Sequence, residues 1–172
     1  PDYAEAHMSL GVTLIKLDRL KEAEASFEQV IALTPHHAEA HSNLGEVLRK
    51  LDKLDEAEVC LRHALVLKAD YAEAHNNLGI TLQKQERSEE AEENFRRAIA
   101  LKPYFVTPHN NLGITLNKQG RFKEAEDICR QVIRMRPDYA EAHSNLANTL
   151  QEQGRFKESE DSYRRAIALK PD

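Results

Sequence analysis

Tryptophan is absent from this chain of 172 residues, and cysteine and methionine each occur only twice. Cys60 and Cys129 lie too far apart for a zinc-binding pair, and two thiols make no disulfide framework. So little cysteine fits a reducing compartment, and a cytoplasmic location is expected. There is no run of about 18 apolar residues, so no membrane-spanning segment and no membrane partner are expected. The opening Pro1-Asp2-Tyr3-Ala4-Glu5 lacks the basic-then-apolar pattern of a secretory signal. Nor is there an excess of positive charge: the net charge is −5 and the pI about 5.9. Arg96-Arg97 and Arg164-Arg165 are the densest basic spots, and each sits among Glu residues. Phosphate binding needs Lys and Arg gathered on one face, so these read as solvated helix surface and no nucleic-acid partner is expected. The chain has no His-Glu-x-x-His motif, phosphate-cradling glycine loop or nucleophile elbow. Neither an active site, a cofactor nor a metal is expected.

What the chain does have is repetition. Pro1-Asp2-Tyr3-Ala4-Glu5-Ala6-His7 returns as Ala69-Asp70-Tyr71-Ala72-Glu73-Ala74-His75 and again as Pro137-Asp138-Tyr139-Ala140-Glu141-Ala142-His143. The period is 34 residues without insertion, giving repeats 1–34, 35–68, 69–102, 103–136 and 137–170 in one array. Pro171-Asp172 reads as the opening of a sixth, from which a longer native chain is expected.

Each repeat reads as two helices. The first, about Ala4 to Leu17, sets Ala6, Leu10, Leu14 and Leu17 on one stripe. The second, about Lys21 to Leu33, carries Ala23, Phe27, Val30, Ile31 and Leu33 inward. Asp2/Glu5, Asp70/Glu73 and Asp138/Glu141 have capping-box spacing. The polar turns Asp18-Arg19, Asp52-Lys53, Glu86-Arg87, Gly120-Arg121 and Gly154-Arg155 join the two helices. Glycine suits the left-handed residue that follows a helix, so the three acidic turns are expected to be costlier. In the fourth repeat Tyr104-Phe105-Val106-Thr107-Pro108 replaces the usual opening, and Thr107 is expected to cap a helix that starts late.

Repeats of this length, with Leu10, Gly11, Leu14, Ala23, Phe27 and Pro35 in the first and Leu78, Gly79, Leu82, Ala91, Phe95 and Pro103 in the third, resemble the tetratricopeptide repeat. Ala69, Ala147, Ser159, Leu61 and Cys129 depart from its pattern, and His7, His41, His75, His109 and His143 stand where it often has Trp. The resemblance implies an all-α fold, a right-handed superhelix (α-solenoid) of five helix-turn-helix repeats. First helices would line its concave face. Spread over successive layers, the histidines read as half-buried packing residues, with pH-sensitive packing the alternative. The pair His37/His41 has no evident third ligand.

Asn43, Asn77, Asn111 and Asn145 recur at one mid-helix place, where Asn is only a middling helix former. Two readings stand. These amides bond locally, or they form a concave ladder gripping the backbone of an extended peptide. The ladder is similar to that in the repeat domain of O-linked N-acetylglucosamine transferases. Asn76 and Asn110 would add to the groove, Ile80 and Ile114 would give it an apolar patch, and Lys84 and Lys118 belong to a basic row near the helix ends. Where chaperone-tail binders clamp a carboxylate, this chain has Glu73, Thr107 and Glu141, so that clamp is absent. The expected function is a non-catalytic protein-interaction scaffold. The alternatives are the substrate-recruiting arm of a larger glycosyltransferase-like enzyme, or end-to-end self-association through Tyr163 and Ile167 on the last helix.

Overall fold

A computed structural model describes residues 2–170, with side chains from Tyr3 onward; Pro171-Asp172 and the side chain of Asp2 lie outside the described residues. All regular structure among them is α-helical: α1 (Asp2–Lys16), α2 (Leu20–Leu33), α3 (Ala38–Lys50), α4 (Leu54–Leu67), α5 (Ala72–Lys84), α6 (Ser88–Leu101), α7 (Val106–Lys118), α8 (Phe122–Met135), α9 (Ala140–Glu152) and α10 (Phe156–Leu169). The helices fall into two compact units, Pro1–Arg87 and Ser88–Asp172.

In the first unit α1 packs on α2, α2 on α3, α3 on α4 and α4 on α5, while α1 and α5 both also touch α3. Its core joins Leu14, Ala23, Phe27, Leu44, Val47, Leu48 and Ala57. Burying a side chain the size of Phe27 contributes about 2–3 kcal/mol. Small residues set the helix spacing: a methyl added at Gly11 would lie 2.6 Å from the Phe27 ring, and one at Gly45 would lie 2.6 Å from Leu61. Leu10, Leu17 and Leu33, expected to point inward, are exposed. Leu10 lies on α1, which has only α2 and α3 beside it among the described helices, whereas the matching Leu44 on α3 is buried.

In the second unit α6 packs on α7, α7 on α8, α8 on α9, and α9 on both α7 and α10. Cys129, Leu146 and Leu150 form its core cluster, with Ile133 against them. Ala147 occupies the place that Gly11 has in the first repeat. Its carbonyl accepts from the Ser159 hydroxyl at 2.8 Å, which accounts for Ser159 standing in an alanine position. Tyr163, at the place of Phe27, is only half-buried, and its hydroxyl donates to Asn148 Oδ1.

The turns obey one rule. Arg19, Lys53, Arg87, Arg121 and Arg155 each donate their backbone N–H to the carbonyl five residues back at 2.9–3.0 Å. This closure needs a left-handed residue just before, and Asp18, Asp52, Glu86, Gly120 and Gly154 supply it with φ of 56°, 63°, 63°, 74° and 74°.

The helix starts differ from the capping-box reading. Tyr71 and Tyr139, not Asp70 and Asp138, are the residues before the first turn, and neither makes a side-chain cap bond. Glu141 instead accepts from its own backbone N–H and from Lys170. Nor does Thr107 cap a delayed helix: α7 starts at Val106, in register with the others. Pro108 then falls third in the helix, where no backbone N–H donor is required.

One set of side chains ties second helices to the turns that follow. Glu24 meets Lys53 at 2.6 Å and Glu58 meets Arg87 at 2.7 Å in the first unit. Glu92 meets Arg121 at 2.7 Å and Glu126 meets Arg155 at 2.6 Å in the second. Desolvation would raise the Glu92 carboxyl, but hydrogen bonds from Arg121, Arg96 and Gln119 outweigh it and hold its pKa below the ordinary carboxylate range.

Candidate functional site

Along α3, α5, α7 and α9 the leucines at the ladder's neighbouring place, Leu44, Leu78, Leu112 and Leu146, are buried, and this rotates the adjacent asparagines to the rim of the core. Asn43, Asn77, Asn111 and Asn145 are half-buried, while Asn76 and Asn110 are buried. Asn145 Nδ2 donates to Asn110 Oδ1 at 2.8 Å, joining α9 to α7. The matching amide of Asn43 reaches only Met8 Sδ, at 4.0 Å. Asn76 Nδ2 donates to Asn77 Oδ1 at 3.5 Å. Amide bonds therefore run between neighbouring first helices in the second unit.

The threonines one turn on keep their hydroxyls inside the helix. Thr81, Thr115 and Thr149 each donate to the carbonyl four residues back at 2.9 Å. Thr149 also accepts from Asn117 Nδ2 at 2.7 Å. These contacts floor a recess of about 210 Å³ between α7 and α9, lined by Gly113, Ile114, Asn117, Lys118, Asn145, Asn148 and Thr149. Three residues singled out from sequence, Ile114, Lys118 and Asn145, meet there. Asn117 and Asn148, which helical spacing sets on the same face as Ile114, and Thr149 complete the lining where the two helices cross. In the first unit Ile80 is half-buried and Lys84 pairs with Asp52 at 3.4 Å. Arg49, half-buried on α3, has an Nε that meets no partner among the described residues.

Four of the five repeat histidines are hydrogen-bonded parts of the packing, whereas His7 Nδ1 meets no partner among the described residues. His41, His75 and His143 donate Nε2–H to the carbonyls of Pro35, Ala69 and Pro137 at 2.8, 3.2 and 3.0 Å, tying each first helix to the chain that enters it. His109 differs and is fully buried. Its Nδ1–H donates to the Phe105 carbonyl at 3.0 Å, so Nε2 carries the lone pair and accepts from Gln131 at 3.3 Å. The second repeat holds a cluster. His41 and His63 lie with ring centroids 4.4 Å apart, and His37 Nδ1 accepts from the Ala40 N–H at 3.2 Å. Burial lowers the His41 pKa, and His63, His37 and His36 lower it further, against the raising effect of the Pro35 bond. No three His, Cys, Asp or Glu side chains among the described residues gather as a metal site. Burial pushes the Cys129 thiol up to about 12, so it stays protonated and inert at neutral pH. No described helix is long and apolar enough to cross a membrane.

Among curated proteins, none matches this sequence. The fold has many solved counterparts. A crystal structure of MamA aligns with a TM-score of 0.81 at 19% identity, covering 99% of this chain and 93% of that one. PilF of Pseudomonas aeruginosa aligns with a TM-score of 0.89 at 20% identity, covering 98% and 77%. YrrB, described as a protein with an unusual peptide-binding site, aligns with a TM-score of 0.76 at 22% identity, covering 96% and 86%. The sequence profile of the tetratricopeptide repeat matches residues 4–37, 36–103 and 104–172, nearly the whole chain. With its paired helices, its left-handed turns and its alternating small and large core residues, the chain belongs to the tetratricopeptide repeat family.

Proposed function

We propose that this chain is a non-catalytic interaction scaffold that holds an extended peptide, or an extended segment of a protein, against its first helices. The observation that carries this reading is the recess between α7 and α9, where Ile114 stands among amides and a lysine. Peptide sites combine a small apolar anchor with a few oriented polar groups, and this recess has both. At about 210 Å³ it suits one or two side chains of a longer ligand rather than a whole small molecule. YrrB's peptide-binding site on a similar fold supports the same class of ligand. The likeness of the asparagine row to that of the O-linked N-acetylglucosamine transferases also suits a peptide ligand.

The test is selection of peptides from a random display library on the immobilised chain, followed by anisotropy titration of the selected peptides. Ile114→Glu combined with Asn117→Ala is expected to weaken binding at least tenfold, a loss of about 1.4 kcal/mol. Undiminished affinity in that variant would reject the recess as the site.

A further inference from the structure

The three amides of the recess are not free rotors, because each is oriented by a bond on one side. Asn117 spends one N–H on Thr149, and Asn145 spends one N–H on Asn110. Asn148 Oδ1 accepts from the Tyr163 hydroxyl, which turns its NH₂ group outward from that contact. A side-chain amide offers two donors and two acceptor lone pairs, so the balance can be counted. Asn148 keeps both N–H donors, whereas Asn117 and Asn145 keep their oxygens and one N–H each. The recess therefore offers oriented donors at Asn148 and oriented acceptors at Asn117 and Asn145.

Its charge comes from Lys118. Two other lysines of that row are paired: Lys50 meets Glu46 at 3.3 Å and Lys84 meets Asp52 at 3.4 Å. Lys118 has Ile114 one turn back where Lys50 has Glu46, and it makes no ion pair with any described residue. An ammonium with no counter-ion thus lines the same recess as the Asn148 amide, whose two donors are unspent, beside an apolar side chain, on a chain whose net charge is −5.

We propose that the recess selects a peptide bearing an acidic side chain next to an apolar one. The carboxylate is received by the Lys118 ammonium and the Asn148 N–H groups. The ligand's backbone N–H groups are received by Asn117 Oδ1 and Asn145 Oδ1, and its apolar side chain rests on Ile114. This rests on the scaffold reading above and adds the ligand's charge to it. The preference is local rather than a field of the whole protein, because the net charge repels acidic partners at long range.

The experiment uses the full chain and fluorescein-labelled ten-residue peptides that carry one Asp-Leu pair in a Ser/Gly background, with Asn-Leu and Lys-Leu counterparts. The Asp peptide is expected to bind about fivefold tighter than the Asn peptide, as suits one partly exposed charge pair. Lys118→Glu should abolish that ratio, and Lys84→Glu, from the same row but already paired, should preserve it. Circular dichroism checks that both variants fold. Equal affinity for the Asp and Asn peptides, or a ratio that survives Lys118→Glu, overturns the acidic preference. In that case binding that still depends on Ile114 and Asn117 leaves the scaffold reading standing. If none of the peptides binds and library selection yields no binder, both fall.

Discussion

Asn145 on α9 gives its amide N–H to the side-chain oxygen of buried Asn110 on α7, at 2.8 Å. This one bond serves two ends, since it links neighbouring first helices and fixes which atoms of Asn145 face the recess. Removing it leaves a buried acceptor without a donor, which costs about 1–3 kcal/mol. Asn145→Ala is therefore expected to destabilise the chain by about that amount in urea unfolding. Asn110→Ala should lose less when Asn145 is already Ala than alone, and strict additivity in that double-mutant cycle would contradict the coupling.

The glycines of the first helices differ in what a methyl would strike. At Gly11 it would lie 2.6 Å from the Phe27 ring, while at Gly113 its nearest neighbour is Cys129 Sγ at 3.3 Å. Overpacking a filled core costs about 1–3 kcal/mol. Gly11→Ala is expected to fall in that range and Gly113→Ala below it, as measured by denaturant midpoints. The reverse order would refute this account of the packing.

Glu86 sits at φ 63°, its carboxylate in no ion pair with a described residue, in the place that Gly120 and Gly154 fill in later repeats. A side chain in the left-handed region costs about 1–2 kcal/mol, partly offset by the larger unfolded-state entropy of glycine. Glu86→Gly should therefore raise stability by about 0.5–1 kcal/mol. A lower melting temperature would show that the turn carries no strain.

Acid should loosen the second repeat. Because the folded-state pKa of His41 lies below its ordinary value, the unfolded chain binds more protons just below pH 6.5. The stabilisation is thus complete above that pH and is lost as pH falls toward the folded pKa. His41→Gln, which keeps a donor for the Pro35 carbonyl without titrating, is expected to flatten the fall in stability between pH 7 and 5. An unchanged pH profile in that variant would remove His41 from the explanation.

The sequence made the hairpins legible because each rests on local rules. Leu14 and Ala23 follow helical periodicity, and the left-handed residues at Asp18 and Gly120 mark where one helix must stop. Thr107 misled because a Pro-preceding threonine imitates a cap, yet Pro108 costs nothing when it falls third in the helix. The pairing of Asn145 with Asn110 was hidden for a different reason. A repeat period aligns equivalent positions, whereas this bond joins one position to its neighbour in the preceding repeat. Helical spacing sets Asn117 and Asn148 on the same face of the first helices as Ile114, but only the crossing of α7 and α9 brings them together. The link between Glu92 and Arg121 was written in every repeat, as a glutamate mid-way through the second helix and a basic residue after the turn. What the letters lacked was the distance between them.

That glutamate–arginine link recurs at three successive joints, Glu58–Arg87, Glu92–Arg121 and Glu126–Arg155, with Lys53 in the arginine's place at the joint before them, opposite Glu24. Excising residues 103–136 as a block would present Arg155 to Glu92, the same ionic handshake at the same stage of the ladder. Whole blocks are thus interchangeable masonry, and evolution could lengthen or shorten such a chain by duplication without inventing a new mortar.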